Sequence, residues 1–235
     1  MTWRWLICFS VVATLLPGAS VTGQVELTNS HEAAVRRNKD YSGVVIWLLP
    51  AGAASAPAAP RHEVMRQFKR HFVPHVITIP VGGSVEFPNL DPIFHNAFSN
   101  FSGQPFDVGL YPPGTSKTEI FRHPGIVRVF CNIHSTMSAI IAVVPTPWYA
   151  TTPASGRFLI DSVPAGEYDL HLFHERAQPD VLHALERRVT VSENGLALPL
   201  ITISETGYIP APHLNKYGKP YPPLIDDSTY PGAHK

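Results

Sequence analysis

The sequence predicts an all-β protein made of two β-sandwiches, and three observations lead there. Apolar segments of five to seven residues, rich in Val and Ile, recur between Pro and Gly punctuation, the spacing of short strands and tight turns. No long stretch repeats apolar residues at helical spacing. Gly (16) and Pro (24) make up about 17% of the 235 residues, above the roughly 12% of ordinary chains but below the roughly 25–30% at which disorder begins. The chain is therefore expected to fold, with many turns.

The first element expected is a leader. Arg4 supplies one positive charge, residues 5–16 form an apolar core of secretory length, and Pro17-Gly18-Ala19-Ser20-Val21-Thr22-Gly23 offers small residues for cleavage after Ser20 or Gly23. Residues 1–23 are thus read as a signal peptide, with an uncleaved anchor as the alternative. The core falls short of the roughly 20 apolar residues of a membrane span, and no second run of that length follows. The mature chain is expected to be periplasmic or secreted, without a stable membrane span. Losing the leader removes Arg4, which leaves 17 Lys and Arg against 18 Asp and Glu. A near-neutral chain without a basic stripe argues against nucleic-acid binding.

The strands follow in two sets. The first comprises residues 43–49, 76–81, 84–87, 126–130 and 140–144; the second comprises 156–160, 168–172, 188–191 and 196–200. Alternation is cleanest at Ile126, Arg128 and Phe130 against Val127 and Val129, and at Asp169 and His171 against Leu170 and Leu172. Residues 183–188 could form one helical turn. The Ala/Pro-rich stretch 51–60 and the segment Pro145-Thr146-Pro147 read as linkers. Beyond Thr206 the chain is rich in Pro and Tyr without periodicity, so 206–235 is expected to lie extended over a surface or to stay mobile. Five segments result: 1–23, 24–60, 61–146, 147–205 and 206–235.

The chemistry concentrates in one loop. With Cys8 gone with the leader, Cys131 is the single remaining cysteine, so it is either an inert buried thiol or a ligand. It opens Cys131-Asn132-Ile133-His134-Ser135-Thr136-Met137, a C-x2-H-x2-M spacing between two strands that brings a thiol, an imidazole and a thioether toward one point. Two imidazoles, one thiolate and a weak axial Met form the blue-copper arrangement. The second imidazole is expected from His95, in the loop 89–96 after the strand ending at Phe87. The alternatives are a structural cysteine beside a core Met, or zinc, which seldom uses Met and lacks a further Cys here. His171 and His174, three apart on a strand, face opposite sides and are read as ordinary hydrogen-bonded residues, and His71 and His75 as structural or solvent-facing. Arg66, Lys69 and Arg70 are either a docking patch or a solvated edge.

On these residues, 64–145 resembles the cupredoxins of plastocyanin and amicyanin type. Residues 72–91 are similar to the family's entry strands, Phe94-His95-Asn96-Ala97-Phe98-Ser99 to the segment bearing its first histidine ligand, and 113–121 to the strand before the ligand loop. The short ligand spacing is nearest to amicyanin. The resemblance implies a Greek-key barrel, with copper on His95, Cys131, His134 and axial Met137, and with Asn96 bracing the cysteine loop by hydrogen bonding. It also implies outer-sphere electron transfer through the edge of His134. Phe94 and Ile93 depart from the small residues often found before the first histidine.

Residues 155–170 resemble a second family, the carboxypeptidase-regulatory, transthyretin-like sandwiches, through G-x-F-x-I-x-x-V-P-x-G-x-Y. The turn Val163-Pro164-Ala165-Gly166 is expected to join the two strands of a hairpin. Residues 24–60 are expected to supply this sandwich's missing first strands, with the copper-type domain inserted between; tandem domains are the alternative.

The function expected is a non-enzymatic electron carrier, of the kind found among methylamine-utilisation plastocyanin relatives, working between periplasmic partners such as a dehydrogenase and a cytochrome. A copper-delivery module and a scaffold with a vestigial site are the alternatives. A multicopper oxidase would need H-x-H pairs, and the sequence contains none.

Overall fold

The computed structural model describes residues 18–100, 103–210 and 212–221. Among the described residues strands hold 45% and helices 6%. Two strands come first, β1 (Ala19–Thr28) and β2 (Val45–Pro50), separated by the short helix α1 (Ala33–Asn38). Ten follow: β3 (His62–Val64), β4 (Arg66–Phe68), β5 (His71–Val73), β6 (Val76–Pro80), β7 (Ser84–Pro88), β8 (Phe98–Ser99), β9 (Phe106–Asp107), β10 (Ser116–Ile120), β11 (Gly125–Phe130) and β12 (Ser138–Val144). The chain continues through β13 (Tyr149–Thr151), β14 (Arg157–Val163) and β15 (Gly166–Phe173), then α2 (Pro179–Leu185), β16 (Arg187–Val191), β17 (Leu196–Ala197) and β18 (Ile201–Ser204).

Strands β3 to β12 build one unit. One sheet runs β10-β7-β3 and the other β6-β12-β11-β8-β9, with β4 and β5 as a separate hairpin. Their inner faces enclose Ile79, Val85, Phe87, Phe121, Val127, Val129 and Ile141. In β7 the burial alternates, Val85 and Phe87 inward and Ser84, Glu86 and Pro88 half out, as a strand with one wet face requires. In β12 every residue from Ala139 to Val144 is buried. Its second face is covered too, because Ala142 and Val144 pack with Val45 of β2 against Trp47, Tyr149 and Phe173. That double burial explains the unbroken apolar run at 140–144.

The flanking strands come together. β1 pairs with β14, β17 and β18, and β2 with β13 and β15, which in turn pairs with β16. Between these two sheets lie Val21, Val25, Ile46, Leu48, Phe158, Ile160, Leu170, Leu172 and Ile203. Residues 45–50, which had no obvious place beside the ligand strands, thus pair with strands that lie a hundred residues further on. The chain leaves this unit along 51–60 and returns at 145, where Ala56 N–H donates to Pro145 O at 2.8 Å. Gly156 makes the tight return into β14. Its φ is +70°, and a Cβ there would stand 2.1 Å from Val25 O, so both the backbone angle and the close approach to β1 demand glycine.

One local expectation changes, and two further features stand beside it. The turn at 163–166 does not close a hairpin: β14 and β15 lie in different sheets. Ser162 at φ 57° and Pro164, which has no N–H to continue a ladder, redirect the chain across the sandwich, and Tyr168 Oη donates to Pro164 O at 2.9 Å. Residues 19–23, assigned to the leader, form the first half of β1, with Ala19 and Val21 buried; residues 1–17 lie outside the described residues. A helix at 33–38, which no periodicity announced, buries only Val35.

Beyond β18 the carboxylate of Glu205 is buried beneath Ser30, His174 and Arg176, with His174 Nε2 at 2.9 Å and Arg176 Nε at 3.1 Å. Burial alone would raise its pKa. The hydrogen bonds from His174, Arg176 and Ser30 prevail and hold it down to about 2. A carboxyl depressed on folding stabilises the fold above its unfolded pKa of about 4.5, and the contribution disappears as pH falls toward 2. Glu205→Gln is therefore expected to cost on the order of 3 kcal/mol at neutral pH and to flatten stability between pH 4.5 and 2. Urea unfolding at several pH values checks this, and an unchanged pH profile would contradict it.

Candidate metal centre

The loop 131–137 begins where β11 ends and closes before β12. These strands pair antiparallel down to Phe130 opposite Ser138, which forces the intervening residues into a tight arch. Cys131 N–H donates to Met137 O at 3.2 Å, and Met137 N–H to His134 O at 3.1 Å. The backbone bonds fold the arch inward, so Cys131 and Met137 are fully buried and His134 nearly so.

The second strand of chain enters from 89–97. Asn89 Nδ2 donates to Ile93 O at 2.8 Å and Asp91 N–H to Asn89 Oδ1 at 3.1 Å, which shapes the loop. His95 is clamped by reciprocal backbone bonds with Tyr111 (His95 N–H to Tyr111 O, 3.2 Å; Tyr111 N–H to His95 O, 2.9 Å). The ligand atoms of His95, Cys131 and His134 lie within 4.8 Å of one another, all buried. Cys131 Sγ is 3.8 Å from His95 Nδ1 and 3.5 Å from His134 Nδ1, and the two rings meet edge on, with centroids 4.8 Å apart. Among the described residues this is the one group of three such donors.

The electrostatics leave the donors ready. Burial lowers the His95 pKa, an effect partly offset by the Asp91 carboxylate. Burial lowers that of His134 to about 4, aided by the Arg70 charge and by the repulsion that a second proton would meet were His95 also protonated. Both imidazoles are therefore neutral at ordinary pH, the form a metal needs. Burial pushes the Cys131 thiol up, against the backbone N–H groups of Ile133, Asn96 and His134 that favour its thiolate. A cation arriving here displaces one proton, from the sulfur. One thiolate and two imidazoles suit a soft or borderline metal, not calcium or magnesium.

The four expected ligand residues thus divide into three whose donor atoms converge and Met137, which the fold places in the same buried core. Asn96 differs from expectation. Its side-chain Nδ2 donates to Asp107 Oδ1 at 2.7 Å and Gly109 O at 2.9 Å, so the side chain braces the β9 turn, and only its backbone N–H faces the cysteine sulfur. His171 bonds Glu186 and stacks on Trp47, His174 bonds Glu205, His75 meets Glu175 at 2.9 Å, and His71 Nδ1 lies 2.7 Å from Lys69 O. None of them joins the centre.

One residue the sequence reading missed is Asp91. Its Oδ2 accepts from His95 Nε2 at 2.8 Å and from Arg70 N–H at 2.8 Å, and its Oδ1 accepts from Lys69 N–H at 2.6 Å. One buried carboxylate therefore fixes the ring of His95 with Nδ1 toward the sulfur and also holds the turn of the β4–β5 hairpin. Lys69 and Arg70 both have positive φ there, 51° and 58°. A carboxylate four residues before a candidate histidine ligand was the available signal. Gln67 adds a second brace, donating from Nε2 to Asn96 O at 3.0 Å while Oε1 accepts from Tyr111 Oη at 2.8 Å.

No family profile and no curated protein matches the chain. Solved structures do. A copper-containing nitrite reductase from Thermus scotoductus SA-01 is 28% identical over 40% of this chain, at a TM-score of 0.34; the match spans 25% of the reductase. A purple cupredoxin from Nitrosopumilus maritimus is 24% identical, over 32% of this chain and 83% of its own, at 0.30. Amicyanin from Paracoccus versutus is 22% identical, over 42% and 96%, at 0.33.

Asp91→Ala is expected to strand the buried His95 Nε2–H and the two turn amides. The cost is about 1–3 kcal/mol for the imidazole donor alone, read by chemical denaturation of the metal-free protein. A loss below about 0.5 kcal/mol would mean that solvent reaches these donors.

Proposed function

We propose that this chain is an exported type 1 copper protein that carries single electrons between redox partners, with His95, Cys131 and His134 as equatorial ligands and Met137 as the axial one. One observation carries the reading: two buried, neutral imidazoles and a buried thiol aim Nδ1, Nδ1 and Sγ at a common point, from a strand-loop-strand arch and a braced loop. A bound copper ion supplies a one-electron couple, with a strongly covalent bond to the thiolate.

The residues of the chain then have separable roles. Cys131 loses its proton and binds as thiolate. His95 is held in one tautomer, Nε2–H to Asp91, so that Nδ1 is free to coordinate. His134 comes from the short arch and retains about 7% of its surface, whereas His95 retains none; it is the ligand whose edge reaches toward solvent and toward a partner. The bonds across the arch and from Asp91 hold the same geometry for both oxidation states, which keeps the reorganisation on electron arrival small. Export and the identity of the partners, a dehydrogenase or a cytochrome, belong to this proposal. Among the described residues no helix is long and apolar enough to cross a membrane. A non-enzymatic role is part of the same reading, since the donor set is filled by protein groups and leaves little room for a substrate.

Two substitutions test it. Cys131→Ser in the copper-loaded protein should abolish the intense visible band, which arises from thiolate-to-copper charge transfer; a surviving band would exclude the site. Met137→Leu should keep copper bound and raise the potential through loss of a weak axial donor, measured by redox titration. Release of the metal by that variant would show the thioether to be a principal ligand.

A further inference from the structure

Within the C-terminal segment, residues 213–221 lie against the ligand loop and the strand end before it. Tyr221 Oη donates to the carbonyl oxygen of Cys131 at 2.7 Å. Lys216 N–H donates to Asn132 Oδ1 at 3.0 Å. Lys216 Nζ pairs with Asp107 Oδ2 at 2.7 Å, and the other oxygen of that carboxylate accepts from Asn96, the neighbour of His95. The ring of His213 stacks on Phe130, the residue before Cys131, with centroids 4.0 Å apart and planes 23° off parallel. Tyr221 meets that same imidazole edge on at 5.1 Å. The segment keeps its own shape through a turn centred on Asn215, whose Oδ1 accepts from Tyr217 N–H at 3.0 Å and Lys219 N–H at 3.1 Å, while Gly218 N–H donates to Asn215 O at 2.9 Å.

These contacts have one thing in common. The last residue of β11, Phe130, and the first two of the ligand arch, Cys131 and Asn132, are each held by a group from 213–221, and the lysine contact reaches the Asn96 side of the centre as well. The segment follows β18, which pairs with β1 in the other sandwich. The ligand arch is thus tied to a second β-unit that contributes none of the three clustered donors.

We propose that residues 213–221 form a strap that sets the position of the Cys131–His134 arch, and that Tyr221, His213 and Lys216 are positioning residues of the metal centre. The role of the second sandwich in this account is to anchor the strap. The proposal deepens the copper reading and rests on it for the metal-loaded behaviour, while its effect on the arch is measurable without metal.

The experiment uses the full-length chain carrying Tyr221→Phe with His213→Ala, and separately Lys216→Met, so that a folding defect in one variant does not decide the matter. In metal-free protein, alkylation of Cys131 by iodoacetamide is followed by peptide mass, which separates it from Cys8. The strap predicts that labelling accelerates about tenfold in the double variant, and that Cu(I) transfer to bathocuproine disulfonate from the loaded protein accelerates by a similar factor, the scale seen when groups around metal ligands are removed. The charge-transfer band should shift without being lost. Labelling within about twofold of the unaltered chain in both variants overturns the strap whatever the metal does. Faster labelling in a chain whose copper form lacks the band leaves the strap standing and removes the electron-carrier reading instead.

Discussion

Desolvation of three donors is the constraint on which the structure turns. A thiol and two imidazoles lie within a few ångströms of one another in the interior, where unpaired polar atoms are costly, so every one of them is either hydrogen-bonded or aimed at the others. Burial makes the imidazoles neutral and keeps the thiol protonated until something displaces its proton. Cys131 and Met137 belong to the same buried cluster as Phe87, Val127, Val129 and Ile141. The result is a preformed cluster of one thiol and two imidazoles that needs only the loss of the sulfur's proton to receive a cation.

The supporting shell is built from backbone as much as from side chains. Asp91 ties His95 to the β4–β5 turn, Gln67 and Tyr111 lock the chain on either side of Asn96, and the arch is closed by its own amides. Phe68, Leu90 and Phe94 are each about half exposed, near the same loop that carries His95. The two sandwiches meet through β12 and β2, where Ala142, Val144 and Val45 share a small core, and through the hydroxyl pair of Thr78 and Thr151 at 2.7 Å. A ligand strand on one side of that seam and the anchor of the C-terminal segment on the other are therefore parts of one packed structure.

Much of this was legible in the sequence, for physical reasons that can be named. The C-x2-H-x2-M loop was visible because three unusual donor types cluster within seven residues between strands with period-two alternation. His95 was visible because a strand end preceded it. The brace from Asp91 was missed because a carboxylate in an Asn-Leu-Asp-Pro loop reads first as turn chemistry, and only the fold turns it toward the imidazole. Asn96 was assigned to the cysteine loop on resemblance; its backbone N–H meets the sulfur, whereas its side-chain amide donates to Asp107 and Gly109 O. The hairpin at 163–166 failed because periodicity locates strands but says nothing about which sheet each one joins; the positive φ of Ser162 is a tertiary fact. The C-terminal segment was expected over a surface or mobile, but which surface could not be read, since Pro- and Tyr-rich sequence without period carries no register and its contacts with Cys131 and Asn132 span about 90 residues.

The central claim is that one sulfur and two imidazole nitrogens close around a single copper ion. Copper-edge X-ray absorption on the loaded chain measures that donor set directly. The account predicts one short copper–sulfur path and two imidazole paths, preserved in outline between oxidised and reduced forms. A spectrum with no sulfur neighbour, or with oxygen and nitrogen donors alone, would contradict it.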